Sequence, residues 1–167
     1  MKHENSITYH PIGIFRSNYQ PKTGAPRQGI LYPENRGIIE LFEPYPQALE
    51  TLDMFERIIV LFHFDRVQGW DANVNPPESS HNHHFGLFST RSPRRPNPIG
   101  MTNIKLEKIE GRKLFVSGID AFDGTPVLDI KPYLPSVDCV SSQQNEEAEA
   151  YLGHHDEDYI DDPAFYS

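Results

Sequence analysis

A chain of 167 residues with one cysteine can bury a sizeable core without staples, and a lone Cys139 excludes an internal disulfide framework and fits a reducing compartment. The net charge of −9 does not exclude a polyanionic partner, because residues 1–131 hold all 15 Lys and Arg beside 15 acids, and the whole imbalance falls in the last 36 residues; phosphate contacts follow local cation density. Met1 to Pro11 lack a signal-peptide core, and no apolar run approaches the roughly 20 residues that span a bilayer, so a soluble, cytoplasmic protein is expected.

Taken in order, Ile7 to Arg16 alternates apolar and polar positions and predicts a strand. The loop Gly24-Ala-Pro-Arg27-Gln28-Gly29 places an Arg and an amide on backbone stiffened by Pro. Gly37 to Phe42 predicts a second strand, Pro46 to Phe55 a helix with Pro in its first turn, and the apolar run Arg57 to Phe64 a buried strand. His81, His83 and His84 stand in a polar stretch, and no acid follows them until Glu107. The mixed ligand set of a metal centre is missing, so exposed loop histidines and no metal are expected.

Phe85 to Ser89, Ile99 to Ile109 and Leu114 to Ile119 continue the strands, with Glu110 to Lys113 as a hairpin turn. Between them Leu87 to Gly100, LFSTRSPRRPNPIG, is expected to be a stiff, non-helical loop. Pro93, Pro96 and Pro98 each fix φ and push the preceding residue towards extended backbone. Arg91, Arg94, Arg95 and Asn97 then form either a fixed array that grips an anion or a surface turn of solvated arginines. In Gly118 to Tyr133, GIDAFDGTPVLDIKPY, Asp120, Asp123 and Asp129 alternate with apolar residues. Asp123-Gly124 is a turn signal, so Asp123 either caps the turn or acts directly, and Asp129 and Lys131 have the spacing of an ion pair on one face of a strand. Many strands with little helix predict a barrel or sandwich. Neither a dinucleotide fingerprint nor a P-loop is present.

PRQ at Pro26 to Gln28, FSTRSPRRPNPIG at Phe88 to Gly100 and GIDAFDGTPVLDIKPYLP at Gly118 to Pro135 together resemble the signature segments of the TsaA/TrmO (VirR-like) family. The resemblance runs from about Ile7 to Asp138. It implies a mainly β fold: a small closed or nearly closed barrel over residues 1–138 with one or two short helices; residues 139–167, by their composition, read as an acidic tail. It also implies S-adenosylmethionine as cofactor and N6-methylation of the threonylcarbamoyladenosine beside the tRNA anticodon, with homodimers as the assembly. A binding module that senses the cofactor and regulates a partner is the alternative. By that resemblance Arg27, Gln28, Gly29, Asp65, Arg66, Arg91, Met101, Asp120, Ala121, Phe122 and Asp123 contact the cofactor. Arg94, Arg95 and Asn97 face the tRNA, and Asp123, Asp129, Lys131 and Tyr133 orient the target nitrogen or take up its proton.

Overall fold

The computed structural model describes residues 6–26, 28–74 and 85–142. Six strands close into a barrel in the order β1 (Gly13–Arg16), β2 (Arg36–Leu41), β7 (Lys113–Ser117), β6 (Ile99–Glu110), β3 (Arg57–His63) and β8 (Pro126–Pro132), which returns to β1. Every neighbouring pair is antiparallel. Closure leaves no open edge, and the barrel confirms the mainly β reading.

Alternation decides which side chains fill the interior. Along β3, Ile58, Val60 and Phe62 are buried while Ile59, Leu61 and His63 are only partly so. The same period buries Phe15, Ile39, Leu41, Ile104, Leu114, Val116 and Val127 from the other strands into one core. Phe62 meets Phe15 edge-on at 5.6 Å and Phe64 at 5.0 Å, an arrangement that suits the ring quadrupoles.

Antiparallel order around a closed ring also sorts the connections. The β1–β2, β3–β6 and β7–β8 connections leave from one end of the barrel, and the β2–β3 and β6–β7 connections from the other. All three chemistry-bearing loops read in the sequence are therefore gathered at a single end.

Several boundaries differ from expectation. The first strand starts at Gly13 rather than Ile7, because Pro11 has no amide to give the ladder; Ile12 still donates to the Val127 carbonyl at 2.8 Å. The expected helix over 46–55 is two 3-10 turns, Tyr45–Leu49 and Leu52–Met54, broken at Glu50 and at Thr51 with φ 65°. Ten residues offer too few i-to-i−4 bonds to offset helix nucleation, and the broken path lays Leu49 and Leu52 on the core.

Only Phe85–Gly86 of the expected 85–89 strand is extended; it is β5 and pairs with β4 (Asn73–Val74). Leu87–Ser89 then makes a 3-10 turn, so the proline-rich loop is non-helical only from Thr90 onward. Strand β7 ends at Ser117 because Gly118 takes φ 75°. A four-residue helix, α1 (Pro135–Asp138), follows β8, with Asp138 Oδ2 accepting from the Leu134 amide at 2.7 Å. Cys139 is exposed.

Candidate functional site

The site is built on a contact between two glycines. A Cβ on Gly29 would lie 1.8 Å from the Gly118 carbonyl oxygen, so the β1–β2 loop can press on the β7–β8 loop only with glycine there. That approach lets the Gly29 amide donate to Asp120 Oδ2 at 2.9 Å. Thr102, pointing inward from β6, donates its hydroxyl to the same oxygen at 3.1 Å. The proline-rich loop joins through Arg91, whose Nη1 donates to Gln28 Oε1 at 2.6 Å. Gln28, Gly29, Arg91 and Asp120 thus come together from three loops remote in sequence, as expected; Thr102 is an addition that only its polarity at an inward position of β6 announces.

The electrostatics centre on Asp120. Its Oδ1 is closed to solvent and has no hydrogen-bond partner among the described residues. Burial pushes its carboxyl up from 3.8 to about 6, against the lowering effects of the Gly29 amide, the Thr102 hydroxyl and the Arg91 charge. Tyr19 is raised in turn, first by its own burial and then by the charges of Glu34 and Asp120. Two further buried atoms at this end of the barrel, Arg66 Nη1 and Ser92 Oγ, have no hydrogen-bond partner among the described residues. A buried carboxylate oxygen without a donor suits a cationic group such as an ammonium.

Asp123 sits in a turn closed by the Thr125 amide on the Phe122 carbonyl at 3.1 Å, with Gly124 at φ 82°. Its Oδ1 accepts from the Ser17 amide at 3.3 Å, and its carbonyl accepts from Arg66 Nη2 at 2.5 Å. The Arg66 guanidinium also lies 5.4 Å from the centre of the Phe122 ring and 3.9 Å from Asp65. Ser17 Oγ donates to the Ala121 carbonyl at 2.7 Å, tying the same turn to the end of β1. Asp65, Arg66 and Ala121 to Asp123 therefore form one connected rim beside Asp120.

The remaining expected residues lie elsewhere. Arg94 faces Asp71 at 3.8 Å, and Arg95 turns back onto its own loop, with Nη1 donating to the Thr90 carbonyl at 2.9 Å. Asn97 is exposed, and its carbonyl accepts from the Ile99 amide at 2.7 Å. Met101 stands half exposed on the outer barrel wall opposite Leu61. Asp129 and Lys131 pair with each other at 2.7 Å on that wall, facing Leu61 and Ile59 across the strands. Tyr133 donates its amide to the Arg57 carbonyl at the far end of β3, about 23 Å along β8 from Pro126 at the rise of an extended strand. No hydrogen bond or ion pair joins Asp129, Lys131 or Tyr133 to the Asp120 cluster among the described residues. Arg27, His81, His83, His84 and the tail from Gln143 on lie outside the described residues.

A sequence profile of the tRNA-methyltransferase O N-terminal domain matches residues 14–139. The chain is 43% identical, over 84% of its length, to the putative S-adenosylmethionine-dependent methyltransferase RcsF of Pseudomonas aeruginosa and covers 62% of that protein. It is 40% identical, over 78% of its length, to the tRNA (adenine(37)-N6)-methyltransferase of Escherichia coli and covers 59% of it. The crystal structure of TrmO from Pseudomonas aeruginosa aligns with a TM-score of 0.70 at 38% identity, over 85% of this chain and 62% of that one. The chain thus spans about three fifths of the length of these relatives.

Proposed function

Because this chain belongs to the family of tRNA-methyltransferase O N-terminal domains, we propose that it is an S-adenosylmethionine-dependent methyltransferase whose target is N6 of the threonylcarbamoyladenosine beside a tRNA anticodon. The observation that carries the reading is the meeting of Gln28, Arg91 and Asp120, with its unpartnered buried Oδ1, at one end of the barrel. When bound, the cofactor supplies a methyl group on a sulfonium, open to in-line displacement. The protein's work is then to position the reactants and exclude water.

In this reading the Arg91 fork, braced by Gln28, takes the methionyl carboxylate, and Asp120 Oδ1 takes the ammonium. The Gly29 backbone closes one side, Asp65, Arg66 and the Ala121–Asp123 rim the other, and Arg27 is assigned to the cofactor by the family resemblance. Asp123 serves both as rim and as a group that orients the target nitrogen. Met101 is assigned to the cofactor, Asp129, Lys131 and Tyr133 to orienting the target nitrogen or taking up its proton, and Arg94, Arg95 and Asn97 to the tRNA. The protein works in the cytoplasm as a homodimer. An apolar strip of Ile99 and Met101, 43% and 49% exposed, beside Ile59 and Leu61 supports self-association; sedimentation velocity is expected to give twice the chain mass, and a single-chain mass would remove this part of the reading.

Calorimetric titration with S-adenosylmethionine is the first test. Wild type is expected to bind and Arg91→Ala to bind at least ten-fold more weakly, since a charged hydrogen-bond partner is worth about 1.5–3 kcal/mol. Transfer of labelled methyl to tRNA carrying the threonylcarbamoyl group, and none to tRNA without it, completes the prediction. Binding without transfer to either RNA would favour the regulatory alternative.

A further inference from the structure

Phe88 is 81% exposed, the highest exposure of any large apolar side chain among the described residues. It is nevertheless held in place. Leu87, 3% exposed, anchors the 3-10 turn that carries it, and both the Thr90 amide and the Thr90 hydroxyl close that turn on the Leu87 carbonyl, at 3.1 and 2.9 Å. The Arg95 guanidinium lies 5.6 Å from the ring centre, and its Nη1 is fixed by the carbonyls of Leu87, Thr90 and Ser92 at 3.5, 2.9 and 3.3 Å. The result is a ring backed by a pinned cation on one side and open to water on the other.

Its surroundings carry positive charge and a second aromatic. The Leu87 amide donates to the Ala72 carbonyl at 2.9 Å, and Arg94 meets Asp71 at 3.8 Å, so the segment bearing Trp70, 56% exposed, is tied to this turn. The Arg94 and Asp71 side chains are 38% and 63% exposed. Such pairs are worth little, so a phosphate can compete with Asp71 for the Arg94 fork. Arg91, Arg94 and Arg95 against Asp71 give this face the sign that suits a polyanion.

We propose that Phe88, backed by Arg95, is a stacking platform for an unpaired nucleobase of the RNA substrate, with Arg94 on the adjoining phosphate. The inference rests on the RNA-substrate reading and extends it: the base on Phe88 is a neighbour of the target, because the platform stands on the outer surface of the loop whose Arg91 enters the Asp120 cluster. Unpaired bases are recognised by aromatic stacking of this kind, and the guanidinium behind the ring strengthens it. Arg95 acts here through Phe88, as a positioning residue.

The test uses the full chain and an unmodified anticodon stem-loop RNA. Trp70 is the single tryptophan, so its emission reports binding without a label. Phe88→Ala is expected to weaken RNA binding about ten-fold or more, the usual effect of removing a stacking ring, while S-adenosylmethionine affinity stays as in wild type. Phe88→Tyr is expected to retain RNA binding and Phe88→Leu to lose it, since only the former keeps a π face. Equal RNA affinity in Phe88→Ala overturns the proposal, as does Phe88→Leu matching Phe88→Tyr, or a parallel loss of cofactor affinity. Absence of RNA binding in wild type overturns it too. Phe88-dependent RNA binding together with no methyl transfer to tRNA that carries the threonylcarbamoyl group leaves the platform standing and sinks the methyltransferase reading instead.

Discussion

Gly29→Ala is expected to lower the melting temperature by roughly 6–12 °C and to abolish cofactor binding. The new methyl would meet the Gly118 carbonyl oxygen at 1.8 Å and its carbon at 2.6 Å. Both are backbone atoms, so no rotamer change relieves the overlap. The two loops must separate, and the 2.9 Å bond from the Gly29 amide to Asp120 is lost with them. Overpacking of this kind costs about 1–3 kcal/mol and an unmet buried carboxylate about as much again; taking roughly 3 kcal/mol in all gives the stated shift for a domain of this size. Gly86→Ala is the control, because a Cβ there meets nothing within 4 Å. Thermal denaturation of the two variants decides the matter. If they melt together, the glycine contact does not hold the site.

That contact shows what the sequence could and could not convey. Period-2 alternation exposed most barrel strands, because inward and outward positions on a closed sheet are chemically different at every second residue. Strand β8 was legible only through the spacing of Asp129 and Lys131, since Pro126 and Pro132 at its ends mask the pattern. The helix expected over 46–55 failed because apolar spacing does not register a single left-handed residue such as Thr51.

At the site, the residue types in the three loops were legible and their partition was not. The proline-rich loop presents three arginines that look equivalent in sequence, yet Arg91 reaches across to Gln28, Arg94 pairs with Asp71 and Arg95 folds back on carbonyls of its own loop. Tertiary contacts alone distinguish them. Thr102 and Ser17 escaped notice because each is a lone hydroxyl whose partner, the Asp120 carboxylate or the Ala121 carbonyl, lies far along the chain.

Asp120→Asn is expected to make the protein more stable at pH 8 and worse at its task. The carboxyl is raised from 3.8 to about 6 because burial disfavours its charge, with Arg91 as the opposing charge, and Tyr19 is raised in part by Asp120 in turn. Between those two values the folded chain holds a proton that the unfolded chain has released. Stability contributed by the protonated form is therefore complete below about pH 4 and is lost as the pH rises through about 6, a fall on the order of 3 kcal/mol. The amide cannot ionise, so urea denaturation should find wild type and variant alike at pH 4 and the variant ahead at pH 8. A wild type that leads at pH 8 would mean the buried charge is already compensated. A residue that weakens its own fold at working pH is accounted for by what it binds. A cationic ligand donating to Oδ1 favours the ionised form, so cofactor binding at pH 6 should release protons and binding at pH 8 should release almost none. Calorimetry in two buffers of different ionisation enthalpy measures that difference directly, and equal heats at pH 6 would place the ammonium away from Asp120.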